Sequence, residues 1–414
     1  MTFAVVLAAA FGAALLLPAS AQAQPVPASK HGLYGAQDPT YDGAFRQSLA
    51  ILALNAAGEP VPAAAITWLV RQQCGDGGWT AFRKNLDQPC QAKSEDSNST
   101  AMAVQALARV GGQTDAANEG VSWLRSHQNA DGGIGYNSGQ PSDANSTALF
   151  AQALVATSND PTAATSDKGA TAYDALLGLQ IGCDSYTDQG AFAYQQAKGG
   201  KDLEPNALAT SAALFALTGQ ALPVTQPGSG KAKELSCPAS GDIKPAEAAA
   251  AAGKHMADLM KENSWHVPSP QGNGDDWGTT ATTAIGLAAL GATNDAQKAM
   301  SALAKHADSY VQGDGGDTPA ALANVILAAV ATGQDPHKVA DDSVQRLQAT
   351  AVHGGGNGED ASATPSATSG AAAGSQGSSG TSTGGWVALV VLGLIVAIGA
   401  GVLLSRRAAT QSTD

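Results

Sequence analysis

WLVRQQCGDGGW, from Trp68 to Trp79, and WLRSHQNADGGI, from Trp123 to Ile134, place Trp-Leu, Gln and Asp-Gly-Gly at the same internal spacing, 55 positions apart. Self-similarity of this kind means stacked structural units, because a unit that cannot cover its own apolar face must be covered by the next copy. Around the two strings the sequence alternates two kinds of helix. One is rich in small residues, opens after a polar cap and is apolar on nearly every face: Ser97 to Gly112, Ala144 to Ser158, Asn206 to Gly219, Thr279 to Ala292 and Thr318 to Gly333, with Phe45 to Ala57 as a weaker first copy. Such helices are buried on both sides. The other kind is amphipathic and more polar: Pro62 to Gln73, Ala116 to Gln128, Ala246 to Glu262 and His337 to Gln348. The expectation is an all-α fold in which roughly six inner-outer pairs stack side by side until they close into a double barrel of helices. Trp68 and Trp123 then hold matching outer-helix positions, and Asp-Gly-Gly turns the chain toward the next inner helix, glycine supplying the positive φ of a tight turn. The repeated string is read as structural, Asp76 and Asp131 included.

The two ends of the chain read differently from its body. Phe3 to Leu17 is an apolar run followed by Ala19-Ser20-Ala21 or Ala21-Gln22-Ala23, the small-x-small pattern of a cleaved export signal, so residues 1–23 are expected to be a signal peptide. No Lys or Arg precedes Phe3, which leaves a start upstream open; a buried N-terminal helix is the alternative, broken at Pro25 and Pro27. Trp386 to Leu404 carries no charged side chain, and about 19 helical residues cover a roughly 30 Å hydrocarbon core. Residues 386–404 are therefore expected to span a membrane once, with Arg406 and Arg407 holding the 405–414 tail in the cytoplasm and the body outside the cell. Residues 353–385, mostly Gly, Ser, Thr and Ala, read as a flexible tether with a reach of roughly 30 Å. The 24–352 stretch is left as the folded domain.

Net charge is -13, with 22 Lys and Arg against 35 Asp and Glu, which disfavours nucleic acid as a partner. Cys74, Cys90, Cys183 and Cys237 make an even count, and in an exported chain that implies two disulfides. Of the three possible connectivities, Cys74 with Cys90 and Cys183 with Cys237 is favoured, since each staples an insertion beside a repeat turn. No Cys-x-x-Cys pair supports zinc, and no metal or cofactor is expected.

Gln73-Cys-Gly-Asp-Gly-Gly-Trp79 and Gln128-Asn-Ala-Asp-Gly-Gly-Ile134 resemble the Gln-to-Trp repeat of squalene and terpenoid cyclases. From about Leu33 to Thr350 the chain looks like the α/α toroid those cyclases share with protein prenyltransferase β subunits, complement thioester domains, intrinsic factor and transcobalamin. The resemblance implies the fold and leaves the function to the site. Hopene-type cyclases use an Asp-x-Asp-Asp acid; the acid clusters here, Asp275-Asp276, Asp314 with Asp317, and Asp341-Asp342, lack that spacing, and aromatics are 5% of residues. The prenyltransferase zinc ligands, Asp-x-Cys and a later His, have no counterpart: Gln72, Gln88, Ile181 and Leu235 stand two before the cysteines. Cys74-Gly75-Asp76-Gly77 lacks the Gln of a thioester. Asn98-Ser-Thr-Ala-Met-Ala-Val-Gln-Ala-Leu107 is similar to inner helices of the cobalamin carriers, and Asn145 to Leu154 matches less closely. The small β-domain that closes over cobalamin in those carriers has no counterpart.

Asp42, Asp96, Asn98, Asp143, Asn145, Glu204, Asn206, Asp275 and Asp276 lie at or just before inner-helix starts, which would ring one mouth of the barrel beside Trp277 and Tyr136. Helix capping accounts for each singly; together they suit a ligand with many donors, such as a corrinoid. Asn98 and Asn145 also fit the glycosylation sequon, although their shared place in the repeat favours capping. The resulting expectation is a membrane-anchored extracellular binding protein that captures a small molecule, possible handover going to a membrane importer. The alternatives are a divergent prenyltransferase or cyclase-like enzyme with Asp275 or Asp276 as its acid, and a surface adhesion module.

Overall fold

Small side chains decide how the helices meet. The computed structural model describes residues 30–353 apart from 186, 197–201, 238–242 and 273, and within them the expected inner helices are α1 (Gly43–Ala57), α3 (Ser97–Val110), α5 (Ala144–Ala156), α7 (Ala207–Leu217), α9 (Trp277–Leu290) and α11 (Pro319–Ala331). Their alanines, glycines, serines and threonines let neighbours approach closely and bury almost every side chain. α1 packs on α3, α3 on α5, α5 on α7, α7 on α9 and α9 on α11, and α11 returns to α1. The outer layer is α2 (Ala63–Arg71), α4 (Thr114–Ser126), α6 (Ala172–Leu177), α8 (Pro245–Glu262), α10 (Thr293–Val311) and α12 (Ser343–Ala349), each packed on the inner helix before it. The six-pair double barrel is thus closed. Its seam is held by the two ends of the described stretch: Gly32 N–H donates to Val352 O at 3.0 Å, Val352 N–H to Leu33 O at 2.8 Å, and Tyr34 bridges Ala351.

The Gln and the Asp-Gly-Gly of the repeat have separate structural tasks. Gln73 Nε2 donates to the carbonyls of Gly77, at 3.1 Å, and Ala116, at 3.0 Å, tying its own turn to the start of the next outer helix. Gln128 repeats this with Gly132 and Ala164. Gln180 does so with Gly190 and Ala248, but across ten residues instead of four, so an insertion carrying Cys183 hides a third copy from the sequence. Gly77 and Gly132 have φ of +100° and +88°, and a Cβ on either would strike the backbone of the next repeat. A threonine at the fourth position of the inner helix completes the unit: Thr100, Thr147, Thr210 and Thr280 accept from the backbone N–H of Trp79, Ile134, Phe192 and Val267 at 2.9–3.1 Å.

One expected element needs correction, and two helices were not expected. His337 to Gln348 is not one helix: a 3-10 turn at Pro336–Lys338 is separated from α12 by Ala340, Asp341 and Asp342, all at positive φ, and Asp342 caps α12 from there. α6 and α10 had no counterpart among the expected outer helices. Both disulfides join the expected partners, Cys74 to Cys90 and Cys183 to Cys237. No described helix is long and apolar enough to cross a membrane; the expected signal peptide, most of the tether, the span and the tail lie outside the described residues.

Candidate functional site

Every inner helix is followed by an outer helix that carries the chain back, so the six inner N-termini open on one mouth. Asp96, Asp143, Asn206 and Asp276 cap α3, α5, α7 and α9 by accepting from Ser99, Ser146, Ala209 and Thr279 N–H at 2.6–2.9 Å. Asp42 makes no cap bond and instead pairs with Arg46 at 2.8 Å; burial pushes its carboxyl up against the pull of that guanidinium. Asp275 stands in the short strand β2 (Asp275–Asp276), paired with β1 (Val267–Pro268), and meets His266 Nε2 at 2.9 Å. Glu204 is exposed. Asn98 and Asn145, the second residues of α3 and α5, are only 4% and 6% exposed. The cause lies in the crossing chain: Ser97 N–H donates to Tyr136 O and Ala144 N–H to Tyr194 O, both at 2.9 Å, so the following repeat lies over each helix start.

That crossing brings two carboxyls and two phenols together. Asp96 is pushed up to about 6 by burial, against the lowering effect of hydrogen bonds from Ser99 and Asn98. Asp143 is likewise raised to about 6 by burial, with hydrogen bonds from Ser146, Asn145 and Tyr136 opposing. Tyr136 is raised by burial, then by the charges of Asp96 and Tyr194; Tyr194 by burial, then by Asp143. No cation contributes to any of the four shifts. A carboxyl withdrawn from water without a counter-cation keeps its proton to higher pH. Asn145 Oδ1 is buried here without a hydrogen-bond partner.

Below the rim, the inner wall is mostly apolar. Because outer helices cover their other side, inner-helix residues that keep some exposure near the mouth face the ring axis: Phe45, Leu149, Leu208, Ala212, Thr282 and Asn324. Asn324 Nδ2 donates to the Tyr310 hydroxyl at 3.2 Å, and burial pushes that phenol up to about 12. Trp277, half-buried at the start of α9, stacks on His306 with ring centroids 4.6 Å apart. The far end is crossed by the segment after α7, where Leu222 N–H donates to the buried Gln105 Oε1 of α3 at 3.2 Å and Gly228 N–H to Ala288 O at 3.0 Å.

One titratable group outside the expected set stands apart. Glu95, 3% exposed, accepts from Trp123 Nε1 at 2.9 Å and is pushed up to about 7 by burial, then by the charge of Asp76 and a carboxyl–carboxyl hydrogen bond with it. Sequence pointed only to its neighbour Asp96, the cap; the indole that covers Glu95 comes from 28 residues further on.

Residues 40–160, which contain Glu95, Asp96 and Asp143, match the family model of the squalene-hopene cyclase C-terminal domain. The closed double barrel is an α/α toroid, and over these residues it is similar to the terpenoid-cyclase type. Among solved structures, the chain is similar to a protein from Actinoplanes (16% identity, 73% of this chain and 93% of that one, TM-score 0.47). It is also similar to ent-copalyl diphosphate synthase from Streptomyces platensis (16%, 70% and 50%, TM-score 0.46) and to the type II terpene cyclase MstE from Scytonema (15%, 72% and 92%, TM-score 0.43). No curated protein matches the chain. The family match falls on the cyclase branch of the resemblance and gives the cobalamin-carrier branch no support.

Proposed function

We propose that this chain is a divergent terpenoid-cyclase-like enzyme that holds an uncharged, isoprenoid-type substrate against the partly exposed inner-helix residues Phe45, Leu149 and Leu208. The observation that carries this reading is the pairing of an apolar wall with carboxyls that keep their protons unusually well, Asp96 and Asp143, both raised to about 6. Asp96-Ser97-Asn98-Ser99 and Asp143-Ala144-Asn145-Ser146 keep the first acid of an Asp-x-Asp-Asp string and place Asn and Ser at its third and fourth positions. Asp275 and Asp276 serve less well, since one meets His266 and both are only half-buried. In the proposed reaction the Asp96 carboxyl gives its proton to an alkene carbon, and the π electron pair becomes the new C–H bond. The resulting cation is stabilised by the faces of the rim aromatics. Ring closure follows, and loss of a neighbouring C–H proton to a carboxylate restores an alkene. The corrinoid reading loses its footing because the family match falls on the cyclase branch.

The test incubates the full chain with geranylgeraniol at pH 5.5 and looks for a cyclic isomer of unchanged mass. We expect one from the wild type and none from Asp96→Asn. Absence of any isomer together with calorimetric binding of cyanocobalamin would reverse the assignment. The proposal keeps the body outside the cell on its C-terminal span, supported by the apolar run from Trp386 to Leu404 and the two arginines after it. Protease added to intact cells should then release the body by cutting between residues 353 and 385; a body digested only after lysis contradicts that topology.

A further inference from the structure

On the outer surface, beside the first repeat turn, a cleft of about 770 Å³ is lined by Cys74, Asp76, Arg83, Cys90 and Glu95. A carboxylate oxygen of Glu95 and both sulfurs of the Cys74–Cys90 bond lie within 4.8 Å of one another. Cys74 is buried and Cys90 half-buried, so an incoming group reaches Cys90 more readily, and Glu95 lies close to both sulfurs. The indole of Trp123 needs an acceptor here, which an amide would supply without a titrating proton. The N-cap of α3 is Asp96, not Glu95.

We propose that Cys74–Cys90 is a redox-active disulfide that exchanges with small thiols entering this cleft, and that Glu95 is the proton donor to the departing Cys74 sulfur. A thiolate R–S⁻ attacks Cys90 Sγ, forming an R–S–Cys90 bond as the Cys74–Cys90 bond breaks, and the bonding pair leaves on Cys74 as thiolate. The Glu95 carboxyl passes its proton to that sulfur and becomes carboxylate. A second thiolate attacks the R sulfur of the mixed disulfide, releasing R–S–S–R and Cys90 thiolate, which takes a proton from water. The two thiols supply the two electrons. Protonating the leaving sulfur favours the exchange, since a poorer base leaves faster. Burial and the Asp76 carboxyl hold Glu95 protonated up to about pH 7, so it has a proton to give under mildly acidic conditions. Asp76 acts through Glu95 and is a positioning residue.

The experiment reduces the full oxidised chain with 2-mercaptoethanol between pH 5.5 and 8.5, quenches with acid, labels free thiols and maps them by peptide mass. Rates are divided by the thiolate fraction of the reagent at each pH. For Cys74–Cys90 the corrected rate should be about tenfold higher at pH 6 than at pH 8, following the protonated fraction of one acid near pH 7. Glu95→Gln, which keeps an acceptor for Trp123, should give a flat profile, about tenfold below the wild type at pH 6. Asp76→Asn, which keeps an acceptor for Gly78 N–H, should shift the fall to lower pH, and it carries the test should Glu95→Gln not fold. Cys183–Cys237 is the internal control: no third metal-type ligand atom lies beside it among the described residues, and its profile should be flat. A flat wild-type profile, one shared by both disulfides, or one unmoved by the substitutions overturns the proposal.

Discussion

Asp96→Asn should raise stability at pH 8 by up to about 3 kcal/mol and leave it nearly unchanged at pH 3.5. The carboxyl stands at about 6 in the folded chain against 3.8 as the ordinary value. Between those two values the folded state binds more protons than the unfolded one, so stability falls as pH rises through that window, and the full cost of the buried charge is present above pH 6. Below 3.8 both states are protonated and the difference vanishes. Asparagine keeps a side-chain oxygen for Ser99 N–H, which Asp96 accepts at 2.6 Å, and never carries the charge. Denaturation of the wild type and the variant across pH 3.5–8 measures the difference. An Asn variant that is less stable than the wild type by the same amount at every pH would mean that Asp96 is an ordinary ionised cap. The same substitution abolishes the proposed proton donor, so a chain that becomes more stable at neutral pH and loses turnover fits a site held at the expense of stability.

The proton-holding character of the mouth was only half legible in the sequence. The N-cap role of Asp96 and Asp143 follows from local pattern, an acid three residues before a serine N–H at the start of an apolar helix. Their raised affinity for protons does not, because it comes from burial, and the chain that crosses the helix starts belongs to the next repeat. The same crossing buries Asn98 and Asn145, which from sequence alone belonged to an open polar rim. Among the helices, α10 carries a readable period, Ala296, Ala299, Met300, Leu303 and Ala307, but three of these are alanine and the apolar signal is weak. α6 has only six residues, and its start is fixed by a capping box of Thr171 and Asp174, a short-range signal easily taken for a turn. The disulfides were legible because each closes an insertion next to a turn. Glu95 was not, since neither its burial nor its contact with the disulfide has a local signature.

Gly132→Ala should destabilise the toroid by about 3–5 kcal/mol, combining the cost of a left-handed non-glycine residue with overpacking against rigid backbone. At this position φ is +88°, and an added Cβ would sit 2.1 Å from Thr171 O and 2.5 Å from Thr171 C. Neither neighbour is the end of a flexible side chain. Thr171 is held by the capping box that starts α6, and Gln128 ties the Gly132 carbonyl to Ala164, so relief would have to separate two repeats. Gly139 is the matched control: its φ is +76°, but a Cβ there meets nothing within 4 Å, so Gly139→Ala should cost only the backbone part, about 1–2 kcal/mol. Urea denaturation of the two variants separates the contributions. Equal losses would mean that Asp-Gly-Gly is needed only for its turn; a much larger loss at Gly132 means that the second glycine-bearing string is where one repeat's backbone docks on the next, and that the spacing shared by the two strings is the spacing of that contact.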